Sequence, residues 1–219
     1  RAFHRQHFLR LMEIPEGVKS ISYKAFEGCS QLETVSLPES LREISGDAFK
    51  GCESLKSIYI PKDVESIEYN PFTYCSSLLE IEVDKKNRSY HSGSSNSIIA
   101  TKTGMLISGC SKTIIHSSVF KIDTFAFQGA SRLSEIFIPH HVTKIEDGAF
   151  ADCSNLVSIS VDKKNVEALT LMAKILYDQD QKDIALLFTK KALAVDKSNE
   201  MANELEVLLT NKPKEDSSQ

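Results

Sequence analysis

The sequence predicts a repeat protein of the α+β class: a solenoid of short parallel strands over residues 1–161, then helices over 165–210. Three observations carry this reading. Phe26, Phe49 and Phe72 lie 23 residues apart, and Phe127 and Phe150 repeat the step. Further columns hold the same register, with Cys29, Cys52, Cys75, Ala130 and Cys153 three residues after each Phe, and Leu32, Leu55, Leu78, Leu133 and Leu156 three further on. After Val161 the period vanishes, and Ala, Leu, Lys and Glu run without Gly or Pro until Pro213.

The chain opens inside a repeat. Ala2-Phe3 stands 23 residues before Ala25-Phe26, and Leu9, Met12 and Ile14 precede Leu32, Val35 and Leu37 by the same step. With no initiator Met, the expectation is a fragment of a longer protein, with any signal peptide upstream. His4 and His7 fall in this first unit. Their H-x-x-H spacing has neither a Glu between nor a further Cys or His partner, so it does not make a metal site.

Within each period, Val35, Ile58, Ile81, Ile136 and Ile159 alternate with Leu37, Ile60, Val83, Ile138 and Val161, the pattern of a short strand. Pro15, Pro38, Pro61 and Pro139 close most of these strands, where a missing N–H costs little. A second apolar pair follows, as in Val18 with Ile21, Leu41 with Ile44, Val64 with Ile67, Val119 with Ile122 and Val142 with Ile145. Such a unit is too small to bury its own apolar side. Stacked coils, with equivalent residues about 4.8 Å apart, turn the columns into continuous internal ladders.

The motif L-x-x-I-x-I-P-x-x-V-x-x-I-x-x-x-A-F-x-G-C-x-x closely resembles the BspA-like leucine-rich repeats of surface proteins from oral and gut anaerobic bacteria. The resemblance covers residues 1–161 and implies a leucine-rich-repeat solenoid. It further implies adhesion to host or other bacterial surfaces through a protein or glycan ligand, such as host extracellular matrix, and an extracellular or cell-surface location.

One interruption breaks the period, since Phe72 to Phe127 is 55 residues, or 23 plus 32. Around 84–116 lies a polar, Gly/Ser-rich stretch from Asn87 to Asn96, then Ser97 to Thr101 and Met105 to Ile107 flanking Lys102-Thr103-Gly104. That pattern predicts a β-hairpin with a three-residue loop. The run Tyr90, Asn96-Ser97-Ile98-Ile99, Leu106-Ile107-Ser108-Gly109-Cys110 also looks like the variant unit that interrupts regular repeats in this family. It reads as a widened structural coil, and an irregular coil is also a place for ligand contact.

Beyond Val161, Asn165 is positioned to cap a first helix whose face carries Leu169, Met172, Ala173 and Leu176. Asp178 to Gln181 breaks the pattern, and a second helix presents Ala185, Phe188, Ala192 and Val195. The segment resembles one tetratricopeptide repeat: Ala173, Ala185 and Ala192 match its small positions, and Tyr177 with Leu193-Ala194-Val195-Asp196 fits as well. Leu169, Asp180 and Lys197 depart from it, standing where Trp, Gly and Pro are usual. Ser198 to Thr210 predicts a third helix, and 211–219 a frayed polar tail. These helices either cap the solenoid, the preferred expectation, or offer a peptide groove.

Composition excludes several functions. Thirty acidic against 26 basic residues give a charge of −4, and no Lys/Arg-rich block argues for nucleic acid. No apolar run approaches the ~20 residues of a transmembrane helix. Four of the five cysteines share one column that also accepts Ala130, which points to small buried residues; there is no C-x-x-C pair, and parallel side chains disfavour a disulfide. Gly104 to Gly109 has the glycine spacing of a phosphate loop, but Cys110 and Ser111 displace Lys112 from its place. No G-x-S-x-G elbow occurs, and no triad can be nominated. His140 and His141, with His116 one coil earlier, form a candidate pH-sensitive patch, more simply read as exposed loop residues. Asn87-Arg88-Ser89 is a formal glycosylation sequon. The expectation is a non-catalytic binding module without cofactor, metal or identifiable binding residues, with an intracellular, cytoplasmic scaffold as the alternative.

Overall fold

The computed structural model of the chain describes residues 3–161, 166–178 and 182–210. Each regular period contributes a pair of short strands. In chain order these are β1 (Leu11–Glu13) and β2 (Ser20–Ile21), β3 (Thr34–Ser36) and β4 (Glu43–Ile44), β5 (Ser57–Ile60) and β6 (Ser66–Ile67), and then β7 (Glu80–Val83). The irregular unit supplies β8 (Tyr90–His91), β9 (Ser97–Ala100) and β10 (Met105–Gly109). Regular periods resume with β11 (Lys121–Ile122), β12 (Glu135–Ile138), β13 (Lys144–Ile145) and β14 (Ser158–Val161). Three helices follow: α1 (Val166–Asp178), α2 (Lys182–Val195) and α3 (Glu200–Thr210).

The strands stack as parallel ladders in register with the 23-residue repeat. Met12 faces Val35, Ile58 faces Ile81, and Ile44 lies between Ile21 and Ile67. Alternation sends Ile58, Ile60, Ile81 and Val83 into the core and leaves Ser57, Tyr59, Glu80 and Glu82 in solvent.

The Phe column is the spine of this unit. Rings of Phe3, Phe26, Phe49 and Phe72 stack at centroid separations of 5.1, 5.0 and 5.4 Å, and Phe127 and Phe150 stack at 5.0 Å. Two residues beyond each Phe, the backbone enters the left-handed region at Arg5, Gly28, Gly51, Tyr74, Gly129 and Asp152, with φ from 56° to 73°. That turn aims the N–H of Gly28 at Lys50 O (2.8 Å) and of Gly51 at Thr73 O (2.9 Å), so each coil is tied to the next. Glycine suits the position because it lacks the Cβ that penalises this region. The cysteines lie inside. The thiols of Cys29, Cys52, Cys75 and Cys153 donate to the carbonyls of Phe3, Phe26, Phe49 and Phe127 at 3.0 to 3.3 Å.

The irregular unit makes the predicted hairpin and extends it. Strands β9 and β10 pair antiparallel, their link running from Thr101 to Gly104 rather than over three residues, because Ala100 already accepts the turn-closing bond from Gly104 N–H. Strand β8 adds a third antiparallel strand, and β10 then pairs parallel with β11, which restores the regular ladder. Tyr90 closes the end of β6: its hydroxyl accepts from Ile67 N–H at 2.6 Å.

Asn70 bridges the interruption. Its amide donates to the carbonyls of Phe125 and Ala126 (2.9 and 3.1 Å) and accepts from Phe72 N–H and the Ser108 hydroxyl (2.9 and 2.7 Å). Gly109 takes a place equivalent to the Phe column, donating to Ala126 O at 2.9 Å. A side chain there is excluded, since an added Cβ would stand 2.2 Å from the Phe127 ring.

The chain divides into two compact units, one of Arg1–Phe137 with Lys144–Ser160 and one of Ile138–Thr143 with Val161–Gln219. In the second, α1, α2 and α3 close on Leu169, Ala192 and Ala202, with Val166, Phe188 and Leu193 around them. Ala173 and Ala185 are fully buried. Val195, expected on the packed face, is 48% exposed because α2 ends there. Asn199 caps α3 through Ala202 N–H at 2.9 Å. Asn165, residues 179–181 and residues 211–219 lie outside the described residues.

Candidate functional site

On the solvent face of β5 and β7, Ser57 stands beside Glu80 and Tyr59 beside Glu82. This ledge meets the irregular unit, and between them lies a concave groove of about 640 Å³. Tyr59, Glu80, Glu82 and Asp84 line one side, and His91, Ser92, Gly93, Ser94, Asn96 and Lys112 line the other.

Asp84 fixes the tyrosine. Its carboxylate accepts from the Tyr59 hydroxyl at 2.6 Å and from Lys86 N–H at 2.7 Å. The Tyr59 hydrogen bond and then the backbone bond hold the Asp84 carboxyl below its usual range, so it is ionised at neutral pH. The same bond, with burial second, pushes the Tyr59 phenol up to about 12. The site therefore presents a neutral aromatic hydroxyl beside carboxylates.

The opposite wall leans on histidines. Ser118 N–H donates to His116 Nδ1 at 3.1 Å. The Ser118 hydroxyl lies 2.8 Å from His116 Nδ1 and 3.4 Å from His91 Nε2, and the two rings meet edge to face at 5.8 Å. Burial, and then His116, hold His91 below the usual histidine value. The His116 ring lies against Gly93, where an added Cβ would come within 2.8 Å of it. Gly93 thus lets the loop rest directly on the imidazole.

The residues singled out by sequence have other employment. His4 Nδ1 lies 3.3 Å from the Glu27 carboxylate and His7 Nδ1 lies 3.3 Å from the Ser30 hydroxyl, so the two rings face different neighbours. Gly104 to Gly109 is not a loop, since Met105–Gly109 is strand β10. The Asn87 amide donates to the carbonyls of Pro61 and Val64 (2.9 and 3.0 Å) and accepts from the N–H groups of Ser89 and Tyr90; it clamps the chain. His140 and His141 stack edge to face at 5.6 Å. His116, grouped with them from sequence, pairs with His91, a partner that one-coil spacing could not reveal. Burial pushes up the thiols of Cys29, to about 11, and Cys153, to about 12, which leaves them protonated and unreactive.

The ledge itself escaped sequence reading. Its available signal was Glu80 and Glu82 at the two outward positions of one strand.

Comparison with known proteins gives the context. A family model described as the BspA-type leucine-rich repeat region matches in six copies over residues 1–105 and 96–173. A leucine-rich cell surface protein from Faecalibacterium prausnitzii A2-165 is similar at 32% identity and a TM-score of 0.64, over 74% of this chain and 44% of that one. The pneumococcal vaccine antigen PcpA is similar at 25% identity and a TM-score of 0.59, over 69% of this chain and 39% of its own. The chain thus spans less than half the length of either. A comparison with curated proteins finds no match.

Proposed function

Because the chain belongs to the BspA-type leucine-rich repeat family, we propose that it is a non-catalytic protein-interaction module of a cell-surface protein, and that it binds through the ledge of β5 and β7 and the facing loop of the irregular unit. The observation that carries this reading is the groove of about 640 Å³ where the repeating face meets its one irregularity. Pockets of this size are ordinary ligand-binding volumes. Here charged and polar side chains share the lining with aliphatic ones and one exposed aromatic, a mixture that suits a segment of a macromolecule. A surface location is supported by the likeness to the F. prausnitzii cell surface protein.

The test is a bulky side chain in the groove. Immobilised chain is titrated with soluble host extracellular-matrix proteins and bacterial surface glycans, beside Ser57→Trp and Lys19→Trp. Both positions are exposed, and only Ser57 lines the groove. Saturable binding lost in Ser57→Trp and retained in Lys19→Trp is the expected result. Equal binding by both variants removes the groove as the binding face, and no binding by the parent chain removes the adhesive reading.

A further inference from the structure

We infer that the groove takes an extended peptide segment of a partner protein carrying Lys or Arg at alternate positions, its cations seated on Glu80 and Glu82. The inference rests on the binding face assigned above and specifies its ligand.

The charge pattern of the ledge carries it. On the preceding coils, two outward carboxylates find cations across the 23-residue register: Glu33 pairs with Lys56 at 3.0 Å and Arg10 at 3.7 Å, and Glu39 approaches Lys62 at 4.0 Å. The register then fails to supply cations. The neighbours of Glu80 and Glu82 on β5 are Ser57 and Tyr59, and among the described residues neither carboxylate makes an ion pair. On the far side, the next element is the irregular unit, which stands off and leaves the groove.

Spacing then selects the shape of the ligand. Glu80 and Glu82 are two residues apart on one strand face, about 6.6 Å along the strand. An extended peptide carries its alternate side chains on one face at the same spacing, so two cations at alternate positions match two carboxylates. Tyr59 adds an aromatic face beside Glu82, a second attraction for an ammonium or guanidinium group. Asp84 keeps that ring in place through its hydroxyl. Lys85 and Lys112, also in the groove lining, repel a cation placed beside them, so they disfavour a uniformly basic segment and favour one whose residues between the two cations are uncharged.

The experiment uses the full chain and fluorescein-labelled peptides of Ser and Gly bearing two lysines, read by fluorescence anisotropy at low salt and at about 0.15 M salt. One peptide has the lysines at alternate positions, one has them adjacent, and one carries Glu in their place. The alternate-lysine peptide is expected to bind saturably and more weakly as salt rises. Glu80→Gln with Glu82→Gln should weaken it about tenfold or more, whereas Glu53→Gln with Glu65→Gln, equal in charge but outside the groove, should leave it unchanged. Equal affinity for the adjacent-lysine peptide overturns the spacing, and no effect of the Glu80 and Glu82 pair overturns the site. Groove-dependent binding of an uncharged glycan without the lysine peptide overturns the ligand class. The two readings separate cleanly: matrix binding lost in Ser57→Trp but untouched by the Gln pair keeps the binding face and discards the cationic ligand.

Discussion

Cysteine shows how a repeated residue does a structural job that looks like chemistry. Each ladder thiol is buried and donates to the Phe carbonyl one coil back, so exchange for Ala costs one weak hydrogen bond and a small volume. Where the irregular unit interrupts the ladder, the next residue in the column is Ala130. The raised pKa values have a stability consequence. Below about pH 9 the thiols are protonated in both folded and unfolded chains and add no pH dependence. Above 9.0, the ordinary thiol value, the unfolded chain loses protons that the folded chain keeps until about 11 at Cys29 and 12 at Cys153. Stability should therefore fall as pH rises through that window. Urea midpoints measured across it should decline for the parent and decline less for Cys153→Ala; equal slopes would show that Cys153 does not carry the effect. That these residues are buried was legible from sequence, because a column accepting both Cys and Ala is a small-residue column. Asn70 and Asn87 were not legible, since each clamp occurs once and nothing repeats to mark it.

Strands and coils owe their contact to residues that are absent as much as to those present. At Gly46 an added Cβ would lie 2.3 Å from the Tyr69 ring, and at Gly109 it would lie 2.2 Å from Phe127. Neither glycine is in the left-handed region, so alanine meets no backbone penalty and the two sites isolate sterics. Phe127 is fully buried and has nowhere to turn, whereas Tyr69 is only half-buried and can swing outward. Gly109→Ala should cost about 2–3 kcal/mol and Gly46→Ala less than about 1, read from urea unfolding. Similar losses at both would mean that the ring over Gly46 is as fixed as the one over Gly109. Periodic apolar residues announced the regular strands and the β9–β10 hairpin in sequence. They did not announce β8, because Tyr90-His91 is too short to show alternation, and they did not announce the groove. A groove is made by two elements facing each other, and a single strand's pattern holds no record of its neighbour.

For the solenoid as a whole, the same Phe ladder makes stability a sum over neighbouring coils. Phe49 has no exposed surface and stacks between Phe26 and Phe72, so Phe49→Ala should cost about 3–5 kcal/mol. Lys62 is exposed and only 4.0 Å from Glu39, and Lys62→Ala should stay within about 0.5 kcal/mol. Calorimetry that found the two variants melting alike would refute the stacked core. The architecture was readable at this scale because five registers repeat together. The groove was not, since it lies at the one place where they fail. The amide of Asn70 gives that place a mechanical meaning. It fastens the coil of Phe72 to Phe125 and Ala126 and closes a loop around the irregular unit. Under tension along the chain, a regular period of 23 residues lets out about 80 Å of slack when it peels away. The 55-residue step from Phe72 to Phe127 holds about 190 Å, its ends pinned together by the Asn70 amide and by Tyr74 N–H, which donates to Gln128 O at 3.0 Å, so this reserve of length is released only when those bonds part.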